Sequence, residues 1–250
     1  MPRLVVLGDS HVVALAEGYE ALAGEATEGF GEVLFLKLFD GPDNLVPFFQ
    51  AREDRIEFLD GRVTGEVMAA LGRPALLGGE ADTVYAFSMG VMTTLLVRLP
   101  DWKFAAPSGA AAFIENKRIR RRLMSEQVVK AIAVDQQQQV IAFAAAARAI
   151  GLRSLIIAAP PVRDDERAME RGRHPAVVLE VDRLSRDILI ETFEQQGTPV
   201  VLPPPEACQE GTRFLRRDLC RIAPRDTHHG NSAYGAMMIK RVIDRARLLV

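Results

Sequence analysis

Apolar residues in this chain come in short runs separated by glycine, proline and acidic residues, and the period inside each run sets the element it predicts. Arg3 to Leu7 is a leucine and valine run that ends at Gly8. Val12 to Leu22 then repeats its apolar positions at helical spacing, so the chain opens as strand, tight turn, helix. Glu32 to Phe39 reads as a second strand, stopped by the four turn formers Asp40-Gly41-Pro42-Asp43. Arg55 to Leu59 and Arg62 to Thr64 flank Asp60-Gly61, the pattern of a small hairpin lying outside the main sheet.

Thr83 to Phe87 is a buried-strand pattern closing at Ser88-Met89-Gly90, and Leu99 to Phe113, rich in Pro, Gly and Ala, predicts a surface loop. Ile114 to Ile150 has few breakers and many helix formers, which predicts one or two long helices ended by Gly151. Leu152 to Ala159 is a fourth strand stopped by Pro160-Pro161. A polar loop through Asp164, Asp165 and His174 leads to a helix over Val177 to Gln195, ended by Gly197. Pro199 to Leu202 is a fifth strand, Pro203-Pro204-Pro205 breaks it, and a last helix runs from Ser232 to Leu249. Alternating strands and helices imply right-handed crossovers and a mostly parallel five-stranded sheet, covered by helices on both faces. Its ligand site should lie beyond the carboxyl ends of the strands. No repeat or linker interrupts the pattern, so residues 1–250 predict a single three-layer α/β/α domain.

Composition narrows the partners. Hydrophobic residues make up 48% and charged residues 26%, the balance of a globular domain, and a net charge of −2 supplies no field for nucleic acid or an anionic membrane surface. The apolar runs fall short of the ~20 residues a membrane helix needs, so no span is expected. Met1 to Leu7 runs directly into Gly8-Asp9-Ser10 without a basic and apolar leader pattern, from which a cytoplasmic location is expected. Cys208 and Cys220 are too few for a disulfide framework and are expected to be reduced and structural. The densest basic cluster, Lys117-Arg118-Ile119-Arg120-Arg121-Arg122, reads as a solvated helix face, and Gln136 to Gln139 as a polar surface segment.

Two short segments carry candidate chemistry. Gly8-Asp9-Ser10-His11 sits where the first strand turns into the first helix, so the Ser10 hydroxyl lies where free N–H groups and the helix dipole can stabilise adjacent negative charge. The competing interpretation is that Asp9 or Ser10 simply caps the helix. Asp226-Thr227-His228-His229-Gly230-Asn231 precedes the last helix. Its Asp-x-x-His spacing lets a carboxylate hold one imidazole nitrogen while the other faces a serine. Alternatively Asp226 caps a turn and both histidines face solvent. The co-occurrence of both segments in an alternating α/β chain favours a nucleophile, base and orienting carboxylate.

With Gly-Asp-Ser early and Asp-x-x-His late, the sequence resembles the SGNH or GDSL-like hydrolases over nearly its whole length. The resemblance implies a flavodoxin-like fold and a serine esterase or acylhydrolase, with Ser10 as nucleophile, His229 as base and acid, and Asp226 as orienting carboxylate. In that family a glycine of a second block and a Gly-x-Asn-Asp third block complete the oxyanion hole with the serine N–H. Here Gly90 of Ser88-Met89-Gly90-Val91-Met92-Thr93 fits a glycine, while Met92 stands where the asparagine is expected, and a thioether is no amide donor. Gly41 is the candidate second-block glycine, ahead of Gly29 and Gly31, and Asn44 is a candidate side-chain donor.

Asp9, His11 and Asn44 are the candidate substrate contacts. His11, His174, His228 and Asp226 lack the His-x-x-x-His spacing of a zinc site, so neither metal nor cofactor is expected. His228 is expected at the surface, His174 in an exposed loop or a local role, and Trp102, Phe104 and Phe113 either cover the site or anchor their loop to the core. The expected activity is hydrolysis of an acetyl or short acyl ester of a carbohydrate or small metabolite. Acyl transfer by the same residues, or an inactive binding module of the same fold, are the alternatives.

Overall fold

The computed structural model describes residues 1–22, 29–40, 43–114 and 121–250. β1 (Arg3–Gly8) leads into α1 (Val12–Ala21), followed by β2 (Glu32–Lys37) and the small strands β3 (Phe49–Ala51) and β4 (Arg55–Phe58). Then come α2 (Gly61–Leu71), β5 (Ala75–Leu77), β6 (Thr83–Ser88), the single turn α3 (Thr94–Val97), and β7 (Ala105–Pro107). β8 (Arg122–Met124), α4 (Glu126–Gln136), α5 (Gln138–Ala149) and β9 (Arg153–Ile157) follow. α6 (Arg167–Glu170), α7 (Pro175–Gln195), β10 (Val200–Val201) and α8 (Ser232–Arg247) complete the order.

The main sheet has five strands in the order β10-β9-β6-β1-β2, every neighbouring pair parallel. Side chains alternate across it as strand geometry requires. Leu4, Val6, Val84, Ala86, Leu155 and Ile157 pack with the apolar faces of α1 and α8. Val5, Leu7, Tyr85, Phe87 and Ile156 pack on the other side with Phe143 of α5 and Leu189 and Phe193 of α7. This three-layer arrangement with five parallel strands is the one expected from the strand–helix alternation, and β1 sits between the central strand β6 and the edge strand β2.

The first and last helices approach closely because both carry glycine where they touch. A Cβ on Gly18 would lie 2.2 Å from the Ala236 nitrogen, and one on Gly235 would lie 1.7 Å from the Ala14 carbonyl oxygen. Only hydrogen fits there, so the N-terminal ends of α1 and α8 are drawn together above the sheet.

Three local expectations are corrected. Asp60-Gly61 is not a hairpin turn: the Asp60 side chain accepts from the Arg62 and Val63 N–H groups and caps α2. β4 pairs instead with β3 and β5 in a separate antiparallel sheet. Leu99 to Phe113 is not a plain surface loop, since it forms a 3-10 turn at Pro100–Lys103, the strand β7, and another 3-10 turn at Ser108–Phe113. Trp102 anchors it, 1% exposed and donating to the Leu96 carbonyl at 2.7 Å, whereas Phe104 is exposed. Within the expected helical stretch, Arg122–Met124 is the strand β8, and the helix that follows starts at Glu126, where Ser125 caps it. Of the basic cluster, Lys117 to Arg120 lie outside the described residues and Arg122 opens β8.

Candidate active site

The turn after β1 is set by backbone proximity. A Cβ on Gly8 would lie 2.2 Å from the Ser88 carbonyl oxygen, so this position accepts only glycine. The Gly8 carbonyl accepts from the N–H groups of Leu38 and Phe39, and the Asp9 N–H donates to the Ser88 carbonyl at 3.1 Å. Ser10 is thereby held between the ends of β2 and β6, just before α1.

From the other end of the chain, Arg225 adopts a left-handed backbone (φ 65°) that turns the chain into Asp226. Asp226 Oδ1 accepts from the N–H groups of His228 and His229 at 3.2 and 3.1 Å. Its Oδ2 lies 2.9 Å from His229 Nδ1, and His229 Nε2 lies 2.7 Å from Ser10 Oγ, a contact that spans 219 residues of sequence. The structure therefore brings Ser10, His229 and Asp226 into one hydrogen-bonded line. Asn231 then caps α8 by accepting from the Tyr234 N–H.

Burial alone would raise the Asp226 carboxyl, but the two donated N–H groups and His229 outweigh it and hold it down at about 2. With Asp226 charged, the imidazole tautomer that donates from Nδ1 is favoured, which leaves Nε2 as the acceptor for the Ser10 proton.

Asp9 and His11, candidates for substrate contact, are buried beneath the line. Asp9 Oδ1 accepts from the His11 N–H at 2.9 Å, and burial pushes its carboxyl up to about 7 against the opposing pull of that N–H and of Lys37. His11 is 6% exposed, both of its ring nitrogens lack partners, and burial drives it well below the ordinary histidine range. Its ring packs 4.8 Å from that of His229. His228 is not a surface residue: it is half-buried, its ring centroid lies 3.9 Å from that of His229, and burial lowers it to about 3. His174 caps α7, its Nδ1 accepting from the Ala176 N–H.

Among the described residues, Asp226, His228 and His229 each bring one ligand atom to within 4.8 Å of the others. The donors do not suit a cation: both ring nitrogens of His229 are already engaged by Ser10 and Asp226, and Arg163 Nη1 lies 3.7 Å from the Asp226 carboxylate.

Gly90 has a left-handed backbone (φ 99°), and a Cβ there would press on Phe193 at 2.8 Å. Met92 is 7% exposed and lines, with Asp9, His11 and Ser88, a narrow recess too small for a water molecule. Asn44, in a 3-10 turn after β2, is fully buried with neither side-chain amide atom partnered. Gly41 lies outside the described residues. Gly29 and Gly31 precede β2 at the opposite end of the sheet, beside Arg247 and Met1 respectively.

Sequence reasoning missed several supporting residues. Gln137, expected on a polar surface, is 2% exposed and donates to the Met92 carbonyl, so it braces the segment after β6. Arg98 forks onto buried Glu166 and donates to Thr227, tying down the residue next to Asp226. Arg163, buried after β9, donates to the His229 carbonyl. Gln137 stands between two helices, Arg98 just after α3 and Arg163 in the loop after β9, and nothing in their sequence neighbourhoods marks them as inward-facing. Cys208 and Cys220 are free thiols, and burial pushes Cys220 up to about 11. No helix among the described residues is long and apolar enough to cross a membrane.

The sequence matches no protein-family model and no curated protein. Its structure is similar to that of an extracellular lipase from Streptomyces rimosus, at 10% identity and a TM-score of 0.51, covering 98% of this chain and 100% of that one. It is also similar to a lipolytic-type protein of the G-D-S-L family from Desulfitobacterium hafniense, at 10% identity and a TM-score of 0.50, covering 98% and 99% of the two chains. Five parallel strands in this order, the helices on both faces and these likenesses agree: the chain has the SGNH, or GDSL-like, hydrolase fold.

Proposed function

We propose that this protein is a serine hydrolase that cleaves a carboxylic ester, and that residues 1–250 act as one such domain. The observation that carries this is the 2.7 Å contact between Ser10 Oγ and His229 Nε2, made while Asp226 holds the far side of the ring. Ser10 attacks the acyl carbonyl as His229 Nε2 takes its proton, and Asp226 stabilises the resulting imidazolium. The imidazolium returns the proton to the departing alcohol. A water deprotonated by the same histidine then releases the acid and restores the serine. Backbone N–H groups of Ser10 and Gly90 serve the oxyanion, with Gly41 and the unpartnered Asn44 amide as donors from the loop after β2. Asp9 and His11 support the machinery from below.

The acyl group is acetyl or short, on a carbohydrate or small metabolite. Acyl transfer to an acceptor hydroxyl uses the same first half-reaction. Met92 in place of an amide donor favours a second reading, an inactive binding module. A fluorophosphonate probe separates the two. Activated Ser10 takes the label and Ser10→Ala does not; folded native protein that takes no label and cleaves no short-chain aryl ester supports the binding module.

A further inference from the structure

The loop after β9 carries a charge that the proposed mechanism does not use. Arg163 is 5% exposed, and its Nε and Nη2 grip the Asp165 carboxylate as a fork at 2.8 and 2.7 Å. Its Nη1 donates to the Arg221 carbonyl at 2.9 Å and the His229 carbonyl at 3.3 Å, and stands 3.7 Å from Asp226 Oδ1. The His229 carbonyl also accepts from the Arg221 N–H at 3.1 Å. We infer that Arg163 is a positioning residue for the acid–base loop, anchoring His229 through its main chain and placing a fixed positive charge beside Asp226; the inference rests on the hydrolase reading.

Two effects follow, and they are separable. The first is geometric. The segment from Ala223 to Asn231 has no helix or strand of its own, so the reach of the imidazole to Ser10 depends on where the His229 backbone is pinned. Fork and carbonyl contacts together fix the guanidinium plane, which a lysine cannot imitate.

The second effect is electrostatic. A cation beside the Asp226–His229 pair opposes the arrival of a further proton on either member. The other groups facing the pair are His11 from α1 and His228 from the same loop, both held neutral near pH 7 by burial. Arg98 after α3 and Arg186 on α7 face these two histidines. Asp165 and Cys220 face Arg163, Asp164 faces that thiol and pairs with Arg217, and the thiol stays protonated because burial pushes it up to about 11. Among the described residues, Arg163 is the guanidinium within ion-pair distance of Asp226.

The test is the rate of fluorophosphonate labelling of Ser10 as a function of pH in the full chain. Arg163→Met is expected to label about 10- to 100-fold more slowly. Its acid limb should move up by roughly half to one pH unit, because loss of the cation makes protonation easier. Arg163→Lys keeps the charge and loses the fork, so its limb stays in place while the rate falls. Asp165→Asn leaves the guanidinium less neutralised and moves the limb down. Folded Arg163→Met with native rate and native limb overturns the inference, as does an equal limb shift in the Met and Lys variants. Should Arg163→Met fail to fold, Arg163→Lys and Asp165→Asn decide, and native labelling by both overturns it. Absence of label on the native protein removes the hydrolase reading and this inference with it, whereas labelled native protein with indifferent variants removes this inference alone.

Discussion

Replacing Gly235 with alanine tests how the two ends of the chain are brought together. On helix propensity alone, Gly→Ala inside α8 stabilises by about 1 kcal/mol. The structure predicts the opposite sign. The added Cβ would sit 1.7 Å from the Ala14 carbonyl oxygen and 2.5 Å from its carbon, both backbone atoms that no rotamer change can move aside. Relief requires α1 and α8 to separate by more than about 1 Å, at an overpacking cost of about 3 kcal/mol, the upper part of the usual range. The net loss of about 2 kcal/mol corresponds to a fall in Tm of roughly 4–8 °C for a chain of this size. Gly235 lies six residues after His229, and Ala14 four after Ser10, so the separation opens next to the site. A displacement of that size stretches the 2.7 Å Ser10–His229 contact beyond hydrogen-bond range and should slow fluorophosphonate labelling about 100-fold. Thermal melting and labelling kinetics on the same preparation read both effects. A Gly235→Ala protein as stable as native, or more so, and labelled at the native rate would refute the account of how the site is assembled.

Asp226→Asn keeps the shape of the loop but removes the charge that selects the His229 tautomer, so turnover of a short-chain aryl ester should fall by about 10⁴. Near-native melting and unchanged turnover would take Asp226 out of the mechanism. The native Asp226 carboxyl sits at about 2, below its ordinary 3.8, so its contribution to stability is present above about pH 4 and is lost as pH falls towards 2; native and Asn variant should converge in urea denaturation at low pH. Asp9 has the opposite sign. Raised to about 7, it holds a proton in the folded state that the unfolded chain gives up near 3.8, so it destabilises progressively as pH rises from about 4 to 7. Asp9→Asn, which still accepts from the His11 N–H, should therefore exceed native stability at pH 8 by about 4 kcal/mol and differ little at pH 4, with a pH-independent difference in urea midpoints refuting the burial argument.

Much of the main sheet was legible in the sequence because its strands are apolar runs with glycine or proline at their end or within a few residues of it, as in Arg3–Gly8 and in Thr83–Ser88 before Gly90. Such runs are long enough for period and punctuation to agree. The three-residue strands β3, β5, β7 and β8 offered no period to read. Asp60-Gly61 was ambiguous in itself, since aspartate before glycine suits both a tight turn and a helix cap, and only the position of α2 against its sheet chose the cap.

The candidate site divides the same way. The sequence alone established which residue types stood at the two places where an α/β fold collects ligands, Ser10 after the first strand and Asp226 and His229 before the last helix. Tertiary structure decided that they meet, because Gly18 and Gly235 let α1 and α8 close to backbone contact. It also decided that Gln137 turns inward and that Arg163 reaches the His229 carbonyl. The physical reason is range: turn chemistry and strand periodicity act over a few neighbouring residues, whereas the burial of an arginine or the fit of two glycines is a property of surfaces that the chain brings together from more than 50 residues apart.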